Sequence, residues 1–333
     1  QHWPLTRPAR ASPSSMPMDR RRLRDRLRRS RAHALVCEEE RRLFAELFAW
    51  ARQQGAQGLE QIEVAYFNKD GTPVRGFAAR CEIVGPILLP SALMMTANSE
   101  VELALGLAIE RRKLLDGGNS FWAPWIRTLP TPGDLLRDDV KYSSAEILDF
   151  YSALPLVDQI LAWNARVAQD WEDHRTAWSE LAKKDGALTL IFDDFKWASS
   201  IVRSRVFDPP PTYALMPFAD MMNTGPRANM EVYQDVVCDG LGDVSYCALM
   251  LVPGSRVYSG DELLQSYTSA DNAERLFRGG FMFRGNPTPL LVPGAAEHEA
   301  LQRLEKRGAL SSEQGRICES LHALLGEYCQ CAP

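Results

Sequence analysis

The chain has little of what most catalytic chemistries need. It holds five histidines among 333 residues, and no cluster of metal-ligating side chains accompanies them. Its seven cysteines are odd in number and scattered along a long chain. That argues for reduced thiols in an intracellular compartment rather than a disulfide framework. No uninterrupted apolar run approaches the roughly 18 residues that a membrane span needs. A net charge of −5 gives no global reason to expect a nucleic-acid partner. No internal repeat is visible, so a solenoid or propeller is excluded. What is present is ordinary: 45% hydrophobic and 24% charged residues, the balance of a soluble globular protein. The length allows one large domain or two smaller ones.

Cys318, Cys329 and Cys331 crowd the end of the chain. A tetrahedral zinc site there would need a further ligand from Cys238 or Cys247. The spacing fits no complete pattern, so these cysteines read as ordinary thiols in a helical tail and no metal is expected. At the other end, a Gln rather than a Met in first position reads as a fragment or a processed form. Residues 1–18, rich in Pro, Ser and Ala, read as disordered. Arg20 to Arg31 is dense in arginine. It suits part of a transit peptide, a nuclear-localisation or RNA-binding patch, or the solvated first turns of the next helix. A nucleic-acid partner would act only through this segment, with an affinity that falls steeply with salt.

Periodicity divides the rest. Leu43, Phe44, Leu47 and Phe48 mark an amphipathic helix over 37–54, ended by Gly55. Alternation at Ile62, Val64 and Tyr66 predicts a strand, Asp70-Gly71 a turn, and the short apolar runs 74–79 and 86–89 further strands closed by Pro90. Ser99-x-x-Glu102 is a capping box before a helix carrying Leu103, Leu107 and Leu114, which Gly117-Gly118 ends. Residues 143–184 read as helical with a break near Pro155, and Leu156, Ile160, Trp163, Val167 and Trp171 form a stripe to be buried. Another helix is predicted over 194–206. Residues 213–270 return to β character through Val232, Val236-Val237, Tyr246 to Val252 and Leu263-Leu264. From about residue 296 the chain is helical and polar.

Two segments in the second β region stand out. Pro217-Phe218-Ala219-Asp220-Met221-Met222-Asn223-Thr224 is an apolar run ending in Asp-x-x-Asn. Tyr267 follows the alternating stretch Leu263 to Ser266 and precedes Asn272-Ala273-Glu274 and Gly280-Phe281. Taken alone, Asp-x-x-Asn is a common turn or cap, and a Tyr closing a strand is commonly a core residue. Together and in this order they resemble the signature segments of SET-domain methyltransferases. Asn119 to Pro130 and the run Trp197-Ala198-Ser199-Ser200 leading to Arg205 are similar to two further segments of one branch. That branch holds the Rubisco large-subunit lysine methyltransferase and the actin-histidine methyltransferase.

The resemblance implies an α+β fold: a SET domain of short strands split by a helical insertion, with a short helical C-terminal tail. Residues 1–36 would be the basic or disordered start, 37–295 the split SET domain with its insertion at about 99–200, and 296–333 the remnant of a C-terminal lobe. It implies methyl transfer from S-adenosyl-L-methionine to a side-chain nitrogen of a protein substrate. Ala219 before Asp220, as in lysine-directed relatives, favours lysine; the histidine-directed relative has Trp there. The carry-over makes Tyr267 the catalytic residue, its hydroxyl orienting the amine and the sulfonium end. Asn223 would hold the cofactor's amino-acid end or adenine, and Arg205 its carboxylate. Asp220 would act through its backbone or set the Asn223 turn, and Phe281 would face the adenine or the lysine channel. Gly76 would let the backbone approach the cofactor closely. The chemistry needs alignment and exclusion of water rather than a strong base or a metal. The expected partner is a protein presenting a lysine, with no membrane involved, and the expected state is a monomer.

Departures from the family pattern sit on the cofactor side. Thr224, counted with the cofactor site by position, stands where the family has His. Thr72-Pro73-Val74-Arg75-Gly76 stands for a glycine-rich turn, and Pro73 has no N–H to offer. The segment Ile83 to Pro90 is shorter than in relatives, and Thr268 replaces the glycine after the tyrosine. These keep a second function in view, a SET-fold scaffold that binds partners without transferring a methyl group.

Overall fold

Helix α1, Glu38–Gln53, starts on Glu38, Glu39 and Glu40 and carries Arg52 in its last turn, the charge order that the helix dipole favours. It turns Phe44, Leu47, Trp50 and Ala51 inward, and Gly55 at φ 94° stops it. The computed structural model describes residues 38–69, 72–187, 189–207, 212–225, 227–238, 243–267, 270–282, 286, 288, 290 and 295–330, with backbone alone at 234–238, 243–245 and 295–297. The disordered stretch expected at 1–18, the Arg20–Arg31 segment, the Asp70-Gly71 turn, Thr268 and Cys331 lie outside the described residues.

The first β unit is the antiparallel pair β1, Ile62–Lys69, and β2, Thr72–Ala79, with Ile62 opposite Ala79 and Lys69 opposite Thr72. Strands β3, Ile87–Pro90, and β4, Met95–Ala97, follow. The helical region then runs through α2, Glu100–Leu115; α3, Ala123–Ile126; α4, Pro132–Asp138; α5, Ala145–Phe150; α6, Pro155–Lys184; and α7, Phe192–Arg205. The capping box predicted at Ser99 is half made. Ser99 Oγ accepts from Glu102 N at 3.1 Å, but the Glu102 carboxylate accepts from Asn98 N, one residue earlier. Pro155 is the first residue of α6, where a missing N–H costs no helical bond. The predicted stripe Leu156, Ile160, Trp163, Val167 and Trp171 is buried along it. Arg111 and Arg112 of α2 reach Asp194 of α7 at 2.7 and 3.4 Å, fixing the two long helices side by side.

The second β unit contains β5, Tyr213–Leu215; β6, Asn223–Thr224; β7, Met230–Cys238; β8, Asp243–Leu251; and β9, Leu264–Gln265. The main sheet runs β3-β8-β7-β9-β6, and a separate pair joins β4 to β5. Strands from before and after the helical region therefore pair with each other. Ile87 lies opposite Leu249, and Ala97 opposite Tyr213, so the two ends of the insertion are closed by a ladder. β9 runs parallel to both β6 and β7, which requires the chain to leave β6, travel through β7 and β8 and return.

Helix α8, Asn272–Gly279, is capped by Asp271, whose side chain accepts from Glu274 N. α9, Ala295–Glu305, and α10, Gly315–Gln330, complete the chain. Asn272 donates to both carboxylate oxygens of Glu327 on α10 at 2.8 Å. Ile317, Leu321, Leu324 and Leu325 join the same buried cluster as Phe44 and Leu47, so the tail shares the core of the rest. Lys141 is enclosed beneath α8, its ammonium donating to Phe277 O at 2.8 Å and pairing with Asp139 at 2.9 Å; burial pushes it below the ordinary lysine range. Cys318 and Cys329 are free thiols on α10.

Candidate active site

The site is built around a turn that carries an unusual backbone. Phe218, at φ 73° and ψ −52°, is the one non-glycine residue with positive φ among the described residues. Such a conformation costs about 1–3 kcal/mol and persists only where the surroundings enforce it. Here the ring is fully buried, stacked on Phe77 at 5.8 Å and edge-on to Phe48 at 5.1 Å. The turn drives the next residues inward.

Asp220 is the hub. Its side chain is wholly enclosed. Oδ2 accepts from Trp125 Nε1 at 3.1 Å and from Arg205 Nη1 at 3.3 Å, and Arg205 Nη1 also donates to the Asp220 carbonyl at 2.8 Å. Burial pushes the carboxyl upward while Arg205, Trp125 and Arg75 pull it back. Three of the family-like strings each supply one part of this network. Trp125 belongs to the 119–130 run, Arg205 to the helix after Trp197, and Asp220 to Asp-x-x-Asn. Two further bonds lock them together. Trp197 Nε1 donates to Pro130 O at 2.8 Å, and Arg75 donates to Thr128 O at 2.7 Å. Arg205 is thus engaged by a protein carboxylate, where the sequence suggested a cofactor carboxylate. Its Nε, like Asp220 Oδ1, is buried with no hydrogen-bond partner among the described residues.

Asn223 and Tyr267 meet because β6 and β9 run parallel, with Asn223 opposite Leu264 and Thr224 opposite Gln265. The Asn223 amide donates to Arg75 O at 3.0 Å and to Glu262 at 2.9 Å. Gly76 is required there, since a Cβ on it would stand 2.5 Å from Asn223 Nδ2. Gly76→Ala should push that amide out of place and weaken cofactor binding by about tenfold, the loss of one good hydrogen bond. Calorimetric titration with S-adenosylhomocysteine measures this, and unchanged affinity would contradict it.

Thr224 takes a part that the sequence did not foresee: its Oγ1 accepts from Tyr267 N at 3.2 Å. The residue standing where the family has His therefore fastens the tyrosine's own backbone. The Tyr267 hydroxyl donates to Met222 O at 2.9 Å, and Gln265 Nε2 holds Ala219 O at 3.0 Å beside it. Burial raises the Tyr267 phenol above its ordinary range; Arg205 opposes this, and Asp220 adds to it. The group therefore stays a neutral donor. Phe281 stands edge-on to the Tyr267 ring at 6.1 Å. It is delivered by Gly280 at φ 71°, a conformation that favours glycine, and packs where any side chain on Gly279 would stand 2.6 Å from its ring. Every site residue read from the sequence falls in this one region. Glu262, Gln265 and Trp125 were missed as functional groups. Trp125 lay within a marked string, and Gln265 and Glu262 occupy inward positions of the run before Tyr267.

This arrangement has the fold of a split SET domain. In sequence and in fold the chain resembles the branch that holds actin-histidine N-methyltransferase and the Rubisco large-subunit methyltransferase. It is 29% identical over 276 residues to the actin-histidine N-methyltransferase of Gallus gallus, covering 73% of this chain and 43% of that protein. It is 27% identical over 280 residues to the Homo sapiens enzyme of the same name, with the same coverage. The chain thus spans less than half the length of the curated relatives it matches. Among solved structures, the SET domain of LSMT bound to lysine and AdoHcy superposes with a TM-score of 0.63 at 16% identity, covering 86% of this chain and 88% of that one. Rubisco LSMT bound to AdoMet superposes with a TM-score of 0.58 at 18% identity, covering 80% and 64%. No family model matches the chain. Among the described residues, no helix is long and apolar enough to cross a membrane.

Proposed function

We propose that this chain transfers a methyl group from S-adenosylmethionine to a side-chain nitrogen of a protein substrate, with lysine as the acceptor. The observation that carries the reading is the parallel pairing of β6 and β9. With it a neutral, half-buried Tyr267 donates its hydroxyl to the Met222 carbonyl next to Asn223, with Phe281 against the tyrosine ring. When bound, the cofactor supplies a methyl on a positive sulfonium, which a neutral nitrogen displaces in line. The chain's part is placement and desolvation. Tyr267 and the carbonyls around it orient an incoming amine, and an apolar approach past Phe281 favours that amine in its uncharged form. Unpaired buried Arg205 Nε and Asp220 Oδ1 are suited to a polar, zwitterionic ligand end. Gly76 lies directly against the Asn223 amide. In this reading residues 37–295 are assigned to the split SET unit and 296–333 to the remnant of a C-terminal lobe.

Lysine is favoured by Ala219, a small and fully buried side chain beside Asp220. Histidine is the second reading, because the relatives carrying the sequence likeness are named for it. Incubating the chain with labelled cofactor and a cell extract, then mapping the label by mass spectrometry, tests both. Label on lysine ε-nitrogen is expected. Label on histidine would replace the acceptor, and no transfer from a cofactor-binding chain would favour a scaffold.

A further inference from the structure

Glu262 is nearly enclosed, with 9% of its side chain exposed, and its main chain is held from both sides. Leu263 N donates to Phe77 O at 2.8 Å, and Ala79 N to Asp261 O at 2.9 Å. On the other side, Asn229 Nδ2 donates to Glu262 O at 2.9 Å, and Asn229 Oδ1 accepts from Leu264 N at 2.8 Å. The carboxylate divides its two oxygens. Oε2 accepts from the Lys69 ammonium, and Oε1 accepts from Asn223 Nδ2.

A primary amide has two N–H donors and one carbonyl acceptor. Both Asn223 protons are used, one on Arg75 O at 3.0 Å and one on Glu262 Oε1 at 2.9 Å. Both partners are acceptors only, so a flipped amide would set its oxygen against a carbonyl and a carboxylate. No described residue donates to Asn223 Oδ1. The orientation of this amide is therefore fixed by its surroundings before any ligand arrives.

We infer that Glu262 is a positioning residue of the cofactor site, holding the Asn223 amide so that Asn223 offers its carbonyl oxygen to a hydrogen-bond donor of S-adenosylmethionine. This rests on the function proposed above and goes beyond it, because it assigns the direction of the bond. The ligand group must be a donor: the α-ammonium, the adenine amino group or a ribose hydroxyl. Without Glu262 only Arg75 O is left to oppose flipping, and a flipped amide presents N–H to N–H.

The test is calorimetric titration of S-adenosylhomocysteine into the full chain, with a thermal melt to confirm folding. Glu262→Leu is expected to weaken binding about tenfold, the loss of one oriented hydrogen bond. Glu262→Gln, which keeps an acceptor for Asn223, should bind within about threefold of the unaltered chain, less than a bond's worth. Lys69→Met removes only the ion pair and should leave affinity unchanged. The Glu262→Leu and Asn223→Ala losses should not add, as expected for groups acting as a unit. If Glu262→Leu does not fold, Asn223→Asp with Glu262→Gln reverses the polarity of the bond and should bind more tightly than Asn223→Asp alone. Repeating the series with 5′-methylthioadenosine locates the donor: a penalty that persists points to the nucleoside part, the adenine amino group or a ribose hydroxyl, and one that vanishes to the α-ammonium. Additive losses, a Lys69→Met effect equal to that of Glu262→Leu, or wild-type affinity in Glu262→Leu would overturn the inference alone. An unaltered chain that does not bind S-adenosylhomocysteine would overturn the proposed function and this inference with it.

Discussion

Asp220→Ala is expected to destabilise the chain by about 3–5 kcal/mol, the cost of removing one partner from a buried ion pair and leaving the other uncompensated. The Arg205 guanidinium would lose the carboxylate at 3.3 Å, and the Trp125 indole its acceptor at 3.1 Å. Both donors lie where water does not readily replace what was lost. Asp220→Asn keeps an oxygen for Trp125 and gives up only the charge, so its loss should be smaller. Urea unfolding midpoints for the two variants provide the check, and a drop of less than about 1 kcal/mol in Asp220→Ala would show that the hub is not what holds the turn.

Tyr267→Phe should act on turnover instead. The ring keeps its contact with Phe281, and the Tyr267 main-chain bond to Thr224 is untouched. Only the hydroxyl on Met222 O is removed. With its proton on Met222 O, the hydroxyl offers its lone pairs to an incoming amine N–H, and a preorganised contact of this kind is worth roughly 100-fold in rate, about 2.7 kcal/mol. Single-turnover methylation should fall by about that factor while S-adenosylhomocysteine affinity stays within about threefold, the mark of an interaction made in the transition state. A variant that turns over at the wild-type rate would remove Tyr267 from the chemistry.

The contrast between these variants reflects what the sequence could reveal. Asp220, Asn223, Tyr267 and Arg205 were readable because each sits in a string of unusual composition. The long helices were readable because burial imposes a 3.6-residue period on Leu156, Ile160, Trp163, Val167 and Trp171. Their ends shifted by one or two residues, as at Glu38 and Arg205. Glu262 was not readable, because its meaning lies in a bond to Asn223, 39 residues away in the chain. Thr224 looked like a defect in the pattern until its hydroxyl was seen to accept from Tyr267 N. Arg205 was expected on the cofactor, and the structure shows it first on Asp220. In each case the residue type was plain and the partner was not, since partners are chosen by a topology that local periodicity does not encode.

The parallel return of β9 beside β6 also bears on how the chain reaches its native state. Asn223 faces Leu264 across a stretch of chain that contains β7 and β8, and the hub draws on Trp125 and Arg205 from well upstream. Contacts so distant in sequence close late, after loop entropy has been overcome. The site is therefore expected among the last parts to assemble. A ligand that binds only the finished site stabilises only the fully threaded chain. Under the proposed function, S-adenosylmethionine discriminates completed molecules from those stalled before residue 264, and so gauges folding in addition to the role proposed for it.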